Sequence, residues 1–180
     1  AVAAPRGNGK SSIVSTIFLL WCVCNEFEYC IVIFSGTREQ SAKIFSNFKA
    51  EITKNKALHW AYPDVFKMPL PKWRNGEITM SNGVNILISS VDSKIRGVRN
   101  EENRPGLVIL DDIESERNTR TEKGREKIYE WYTRVVLNLG EKETNYAVIG
   151  TILHFDSLLA KLTSKDEFPG FQKYVYRSVI

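Results

Sequence analysis

Eight residues near the start of the chain, Ala4 to Ser11 (A-P-R-G-N-G-K-S), have the types and spacing to hold an anion. Gly7 and Gly9 allow the backbone to turn so that successive N–H groups face one phosphate. Lys10 supplies a charge for the outer phosphates, and the Ser11 hydroxyl suits a magnesium ion. A helix starting near Lys10 points its positive end at the same place. Pro5, Arg6, Gly7, Asn8, Gly9, Lys10, Ser11 and Ser12 are the candidate nucleotide-binding residues. The pattern is the Walker A form G-x-x-x-x-G-K-[ST] with Ala4 in place of the first glycine.

A second constellation complements the first. Leu107-Val108-Ile109-Leu110 leads into Asp111-Asp112, a buried strand that delivers carboxylates to the edge of a sheet. This is the Walker B form. Asp111, with Ser11, is the candidate metal ligand. Hydrolysis also needs a group that orients and deprotonates the attacking water. Asp112 is favoured for that role, and Glu114 is a close rival with longer reach. One of these acids is also a candidate cap for a following helix.

Three arginines are candidates for contact with phosphate. Arg6 lies inside the loop, where it would touch phosphate or pair with an acid and report nucleotide state. Arg96 and Arg99, in Ile95-Arg96-Gly97-Val98-Arg99-Asn100, are candidates for a finger arginine acting on the same or a neighbouring site, or for DNA phosphate contact. Gly150-Thr151 ends a strand-like run and is the candidate for sensing the γ-phosphate and coupling its loss to movement. His154 follows closely, and a structural hydrogen bond suits it better than metal ligation. Arg117, Arg120, Lys123, Arg125 and Lys127 interleave with acids, as on a solvated face.

The elements that must position these groups alternate between strand and helix patterns, as in an α/β domain with a mainly parallel sheet. Residues 1–4 read as the end of a strand and 10–24 as a buried helix. Tyr29 to Ser35 reads as a central strand. Thr37 and Gln40 have capping-box spacing, ahead of a helix with Ile44 or Phe45, Phe48 and Ile52 on one side. Residues 57–75 carry three prolines and read as loop or short helix. Asn82-Gly83 marks a hairpin between 77–80 and 85–89. Ile128, Trp131 or Tyr132, Val135 and Leu139 form a helical stripe. Residues 146–149 read as a strand, 157–163 as a short helix and 174–180 as a final strand.

The bulk numbers fit one domain of 180 residues with 43% hydrophobic and 26% charged residues, enough for a core and against disorder. A formal net charge of +4 permits an anionic partner. Cys22, Cys24 and Cys30 are odd in number and lie in or beside apolar runs. A structural zinc site is not expected, and a reducing intracellular setting is. The longest apolar run, 13–24, is too short to span a bilayer. A strand normally precedes a phosphate loop, so the chain reads as a fragment cut on the N-terminal side.

Taken together, these motifs resemble the N-terminal ATPase domain of the large terminase subunit of tailed phages, across nearly the whole chain. The variant phosphate loop carries the resemblance, as do Ser35 to Ala42, Ile95-Arg96-Gly97 leading to Leu107 to Glu114, and Ile149 to Leu159. The last is similar to the coupling motif G-T-R-W-H-x-x-D-L, with Ile152 where that pattern has Arg. Asp112 stands where many terminases have Glu. The resemblance implies an ASCE-type P-loop NTPase fold, with a mainly parallel sheet flanked by helices on both faces. It implies ATP as substrate, Mg2+ as cofactor, and hydrolysis driving double-stranded DNA into a prohead. It also implies a ring homo-oligomer, portal and small terminase subunit as partners, no membrane, and the cytoplasm of an infected bacterium. An adenine-binding segment and a C-terminal nuclease domain are expected to lie outside the chain, so no nuclease activity is expected of it. Another DNA-dependent P-loop ATPase, helicase-like, and a nucleotide-dependent binding switch are the alternatives.

Overall fold

The computed structural model describes residues 1–93, 104–164 and 167–177. Eight strands form one sheet in the order β3-β4-β5-β2-β6-β7-β1-β8. They are β1 (Val2–Ala3), β2 (Cys30–Ser35), β3 (Lys72–Arg74), β4 (Glu77–Thr79), β5 (Asn85–Ser90), β6 (Leu107–Asp111), β7 (Asn145–Gly150) and β8 (Tyr174–Val175). All pairings are parallel except β3 with β4 and β4 with β5. Strand β7 separates β1, which leads into the phosphate loop, from the acidic strand β6.

Every residue of β2 and β6 is buried, which explains their continuous apolar runs: both faces of the sheet are covered. Ile31, Ile33, Leu107 and Ile109 face one core, and Val32, Phe34, Val108 and Leu110 face the other. The first core is closed by helix α1, which runs through Lys10–Ser12, Ile13–Phe18 and Leu19–Cys24, and by α2 (Arg38–Lys54). Short α3 (Lys56–Ala61) follows α2. The second core is closed by α5 (Glu122–Trp131, continuing through Tyr132–Val136) and α6 (Leu158–Thr163); α4 (Glu116–Thr119) precedes α5. The Thr37–Gln40 capping box at the start of α2 is formed in both directions.

Three local expectations change. Helix α1 is not buried all round: Leu19, Cys22 and Val23 are in the core, but Ile13, Ile17 and Trp21 are about half exposed. Only one face of the helix meets the sheet, and among the described residues the opposite stripe is left open. The stripe on α5 ends on Tyr132, Val136 and Leu139, with Val136 in place of Val135. The cause is π-helical backbone over Tyr132–Val136, which advances the facing residue by one. Within 57–75, residues 72–74 form a strand. Gly76, at φ 78°, turns the chain so that β3 pairs back onto β4. No helix among the described residues is long and apolar enough to cross a membrane.

Candidate functional site

Sheet register gathers the candidate groups on one edge. Ala3 pairs with Gly150, Ile149 with Asp111, and Asp111 with Ser35, so the loops after β1, β7, β6 and β2 emerge side by side. This is the carboxyl edge of a parallel sheet, where ligands of open α/β folds bind.

The phosphate loop leaves β1 with the Ala4 N–H donating to the Gly150 carbonyl at 3.0 Å. Gly7 and Gly9 take left-handed conformations, φ 84° and 68°. A Cβ at either would meet nothing within 4 Å, so backbone conformation, not crowding, calls for glycine there. The Lys10 ammonium reaches back over the loop, donating to the carbonyls of Ala4 at 2.9 Å and Pro5 at 2.8 Å and to the Thr151 hydroxyl at 3.2 Å. Thr151 in turn donates to the Ala4 carbonyl at 3.1 Å.

Asp111 sits beneath the loop at 2% exposure. Its two oxygens accept from the hydroxyls of Ser11 at 2.8 Å and Ser15 at 2.6 Å. Burial pushes its carboxyl above the ordinary carboxylate range, and the Ser15 and Ser11 hydroxyls oppose that rise. Ser15 is a site residue that sequence reasoning missed. The signal was available: Ser11 and Ser15 are four apart in a helix and share a face.

Asp112 adopts φ 45°, a left-handed conformation that Asp tolerates better than most residues. Its N–H donates to the Ile149 carbonyl at 3.0 Å, so the backbone leaves β6 still tied to β7. Gly36 packs against this corner: a Cβ there would lie 2.6 Å from the Asp112 carbonyl oxygen. Gly150 lies on the other side, where a Cβ would come within 3.3 Å of an Asp112 carboxylate oxygen and 3.1 Å of Leu159. Asp112 is therefore partly exposed between the Ser11–Asp111 pair and the Gly150–Thr151 turn.

Glu114, the alternative base, is engaged elsewhere. Its two oxygens accept the Leu158 N–H at 2.7 Å and the Leu159 N–H at 3.0 Å, which caps the first turn of α6. Burial raises its carboxyl above the usual range, and those same N–H groups hold it down in part. The helix-cap reading is thus the one its geometry fits, though the helix capped is α6 and not the one that follows it in sequence.

Arg6 pairs with Glu116 at 3.0 Å, both side chains largely exposed. Arg96 and Arg99 lie outside the described residues. His154 accepts the Asp156 N–H through Nδ1 at 3.0 Å, as a structural hydrogen bond requires. Asp156 pairs with Arg125 at 3.0 Å and Lys161 at 2.9 Å, which ties the segment after Thr151 to α5 and α6.

No protein-family model matches this sequence, and no curated protein does. Solved structures do match its fold. The large terminase of bacteriophage HK97 superposes over 97% of this chain with a TM-score of 0.66 at 21% identity. This chain spans only 34% of that protein's length. A large terminase ATPase domain from Thermus phage P74-26 superposes over 98% of this chain with a TM-score of 0.63 at 12% identity, and 74% of that domain is covered. This chain therefore has the fold of phage large-terminase ATPase domains, a P-loop NTPase fold.

Proposed function

We propose that the chain is the Mg2+-dependent ATP-hydrolysing domain of a motor that packages double-stranded viral DNA. The observation that carries the reading is the Ser11–Asp111 contact of 2.8 Å beneath a left-handed glycine loop. A hydroxyl and a carboxylate are hard oxygen donors, and Mg2+ is held by few protein ligands with phosphate and water completing its shell. Ser11 and Asp111 would hold it, and it would neutralise charge on the β- and γ-phosphate oxygens.

The chain's own groups divide the remaining work. Loop amides and Lys10 bind and orient the triphosphate and stabilise charge at its outer oxygens. Asp112 accepts a proton from the water that attacks the γ-phosphate in line. Glu114 is a positioning residue, since its charge is spent on α6. Thr151 hydrogen-bonds Lys10 and so senses where that ammonium lies. Arg6 exchanges Glu116 for phosphate. An exposed ion pair contributes about 0–1 kcal/mol, so little opposes the exchange.

The fold match to a large terminase, that of HK97, supports the motor reading. The partners proposed with it are double-stranded DNA, a portal, a small terminase subunit and further copies of the chain. ATP turnover of full-length protein carrying Asp112→Asn or Glu114→Gln tests the assignment of roles. Asp112→Asn is expected to lose about 10²–10⁴-fold in turnover. Glu114→Gln is expected to retain turnover while losing about 1–3 kcal/mol of stability through the broken cap. The opposite pattern would transfer the base to Glu114. Stimulation by duplex DNA separates a motor from a binding switch, and translocation without strand separation separates it from a helicase.

A further inference from the structure

Between α1 and α2 lies a cleft of about 250 Å³ whose floor is Asp111 and Asp112. Ser12 of α1 lines one wall; Gln40, Lys43 and Asn47 of α2 line the other. These three are spaced i, i+3 and i+7, so α2 presents them together along one face. The volume is below that of pockets for drug-sized molecules and suits a small anion with its metal and waters.

The chemistry of the walls is specific. Among the described residues Lys43 is the one cation lining the cleft and makes no ion pair; its side chain is exposed. Gln40 uses its carbonyl oxygen to accept the Thr37 N–H, and this leaves its amide N–H group available. Asn47 and Ser12 add further donors. The two carboxylates on the floor repel a bare anion, but a divalent cation held by Ser11 and Asp111 would balance them. Among the described lining residues Lys43 would then supply the excess positive charge, and a lysine is a point-charge binder of phosphate.

We infer that this cleft is the far wall of the phosphate site: Lys43, with Gln40 and Asn47, takes a tetrahedral phosphate oxyanion. Its two sources are the terminal phosphate of a bound triphosphate and the inorganic phosphate released from it. The inference rests on the reading of the chain as a Mg2+-dependent ATPase.

The test is binding of three probes to full-length protein with Mg2+: a non-hydrolysable ATP analogue, ADP, and inorganic phosphate in competition with the analogue. Lys43→Ala is compared with wild type, with Lys43→Arg for rescue and Lys10→Ala as control. Because Lys43 is exposed, the melting temperature should not move. If the terminal phosphate is the ligand, Lys43→Ala weakens the analogue about tenfold and leaves ADP unchanged. If released phosphate is the ligand, the analogue is unchanged and competition by phosphate is lost. Restoration by Lys43→Arg supports either arm. Equal weakening of the analogue and ADP, or no change for any probe, overturns the inference. Failure of the ATPase reading looks different: wild type itself binds no analogue, or Lys10→Ala binds it as well as wild type does. That result overturns this inference too.

Discussion

The Lys10 ammonium lies 3.2 Å from the Thr151 hydroxyl, although the two residues are 141 positions apart. The contact joins the phosphate loop to the strand end on its neighbour β7. The same hydroxyl donates to Ala4, so one side chain is hydrogen-bonded to both ends of the loop. Any ligand that draws Lys10 toward phosphate must alter this arrangement. Thr151→Val keeps the shape and removes both hydrogen bonds. It is expected to cost about 1 kcal/mol in stability and to lower kcat several-fold with little change in KM. Denaturant unfolding and steady-state ATP turnover read the two effects.

Gly36 is expected to tolerate no side chain. A Cβ would meet the Asp112 carbonyl oxygen at 2.6 Å and the Gln40 side chain at 3.0 Å. The first is backbone and cannot swing away. Gly36→Ala should destabilise the fold by about 1–3 kcal/mol and depress turnover by displacing Asp112. Chemical denaturation and turnover of the purified variant check this.

Asp112 combines a reactive side chain with a left-handed backbone at φ 45°. Glycine relieves that conformation. Asp112→Gly should therefore be as stable as wild type, or more stable by up to about 1 kcal/mol, while turnover collapses. A melting curve beside an ATPase assay reads both sides.

The Asp156 carboxyl is held below its usual range by hydrogen bonds from Lys161 and Arg125, with their charges adding. A depressed native pKa means that the carboxylate stabilises the fold above its unfolded pKa of about 3.9. The contribution is lost as pH falls through the native value. Asp156→Asn should be less stable than wild type at pH 7, and the gap should close as pH is lowered below about 4. Urea unfolding of both proteins across that range measures it.

The phosphate loop and the acidic strand were readable because their chemistry fixes residue types at short spacing. Ser11 and Asp111 are far apart in the chain, yet each belongs to a motif that implies the other. The strands β2 and β6 were equally plain, since burial on both faces leaves an uninterrupted apolar run. What escaped depends on contacts that no local pattern carries. Glu114 looks like a base by its distance from Asp111, and only the docking of α6 turns it into a cap. Ile13, Ile17 and Trp21 look like core by hydropathy, but which side of a helix meets the sheet is decided by packing. Val136 replaces Val135 because hydrophobic periodicity assumes an α-helix, and the backbone there is π. Strand β3 was missed although Asn75-Gly76 carries the same turn signature as Asn82-Gly83.

Mg2+-dependent ATP hydrolysis by the full-length protein, wild type against Lys10→Ala, bears most directly on the proposed chemistry. Lys10 reaches over the phosphate loop and, among the described residues, is the one cation that bridges it to Thr151. Hydrolysis should require Mg2+ in the wild type and fall by about 10²-fold or more in Lys10→Ala. Turnover that persists unchanged in Lys10→Ala would mean that the loop from Ala4 to Ser11 is not where ATP is hydrolysed.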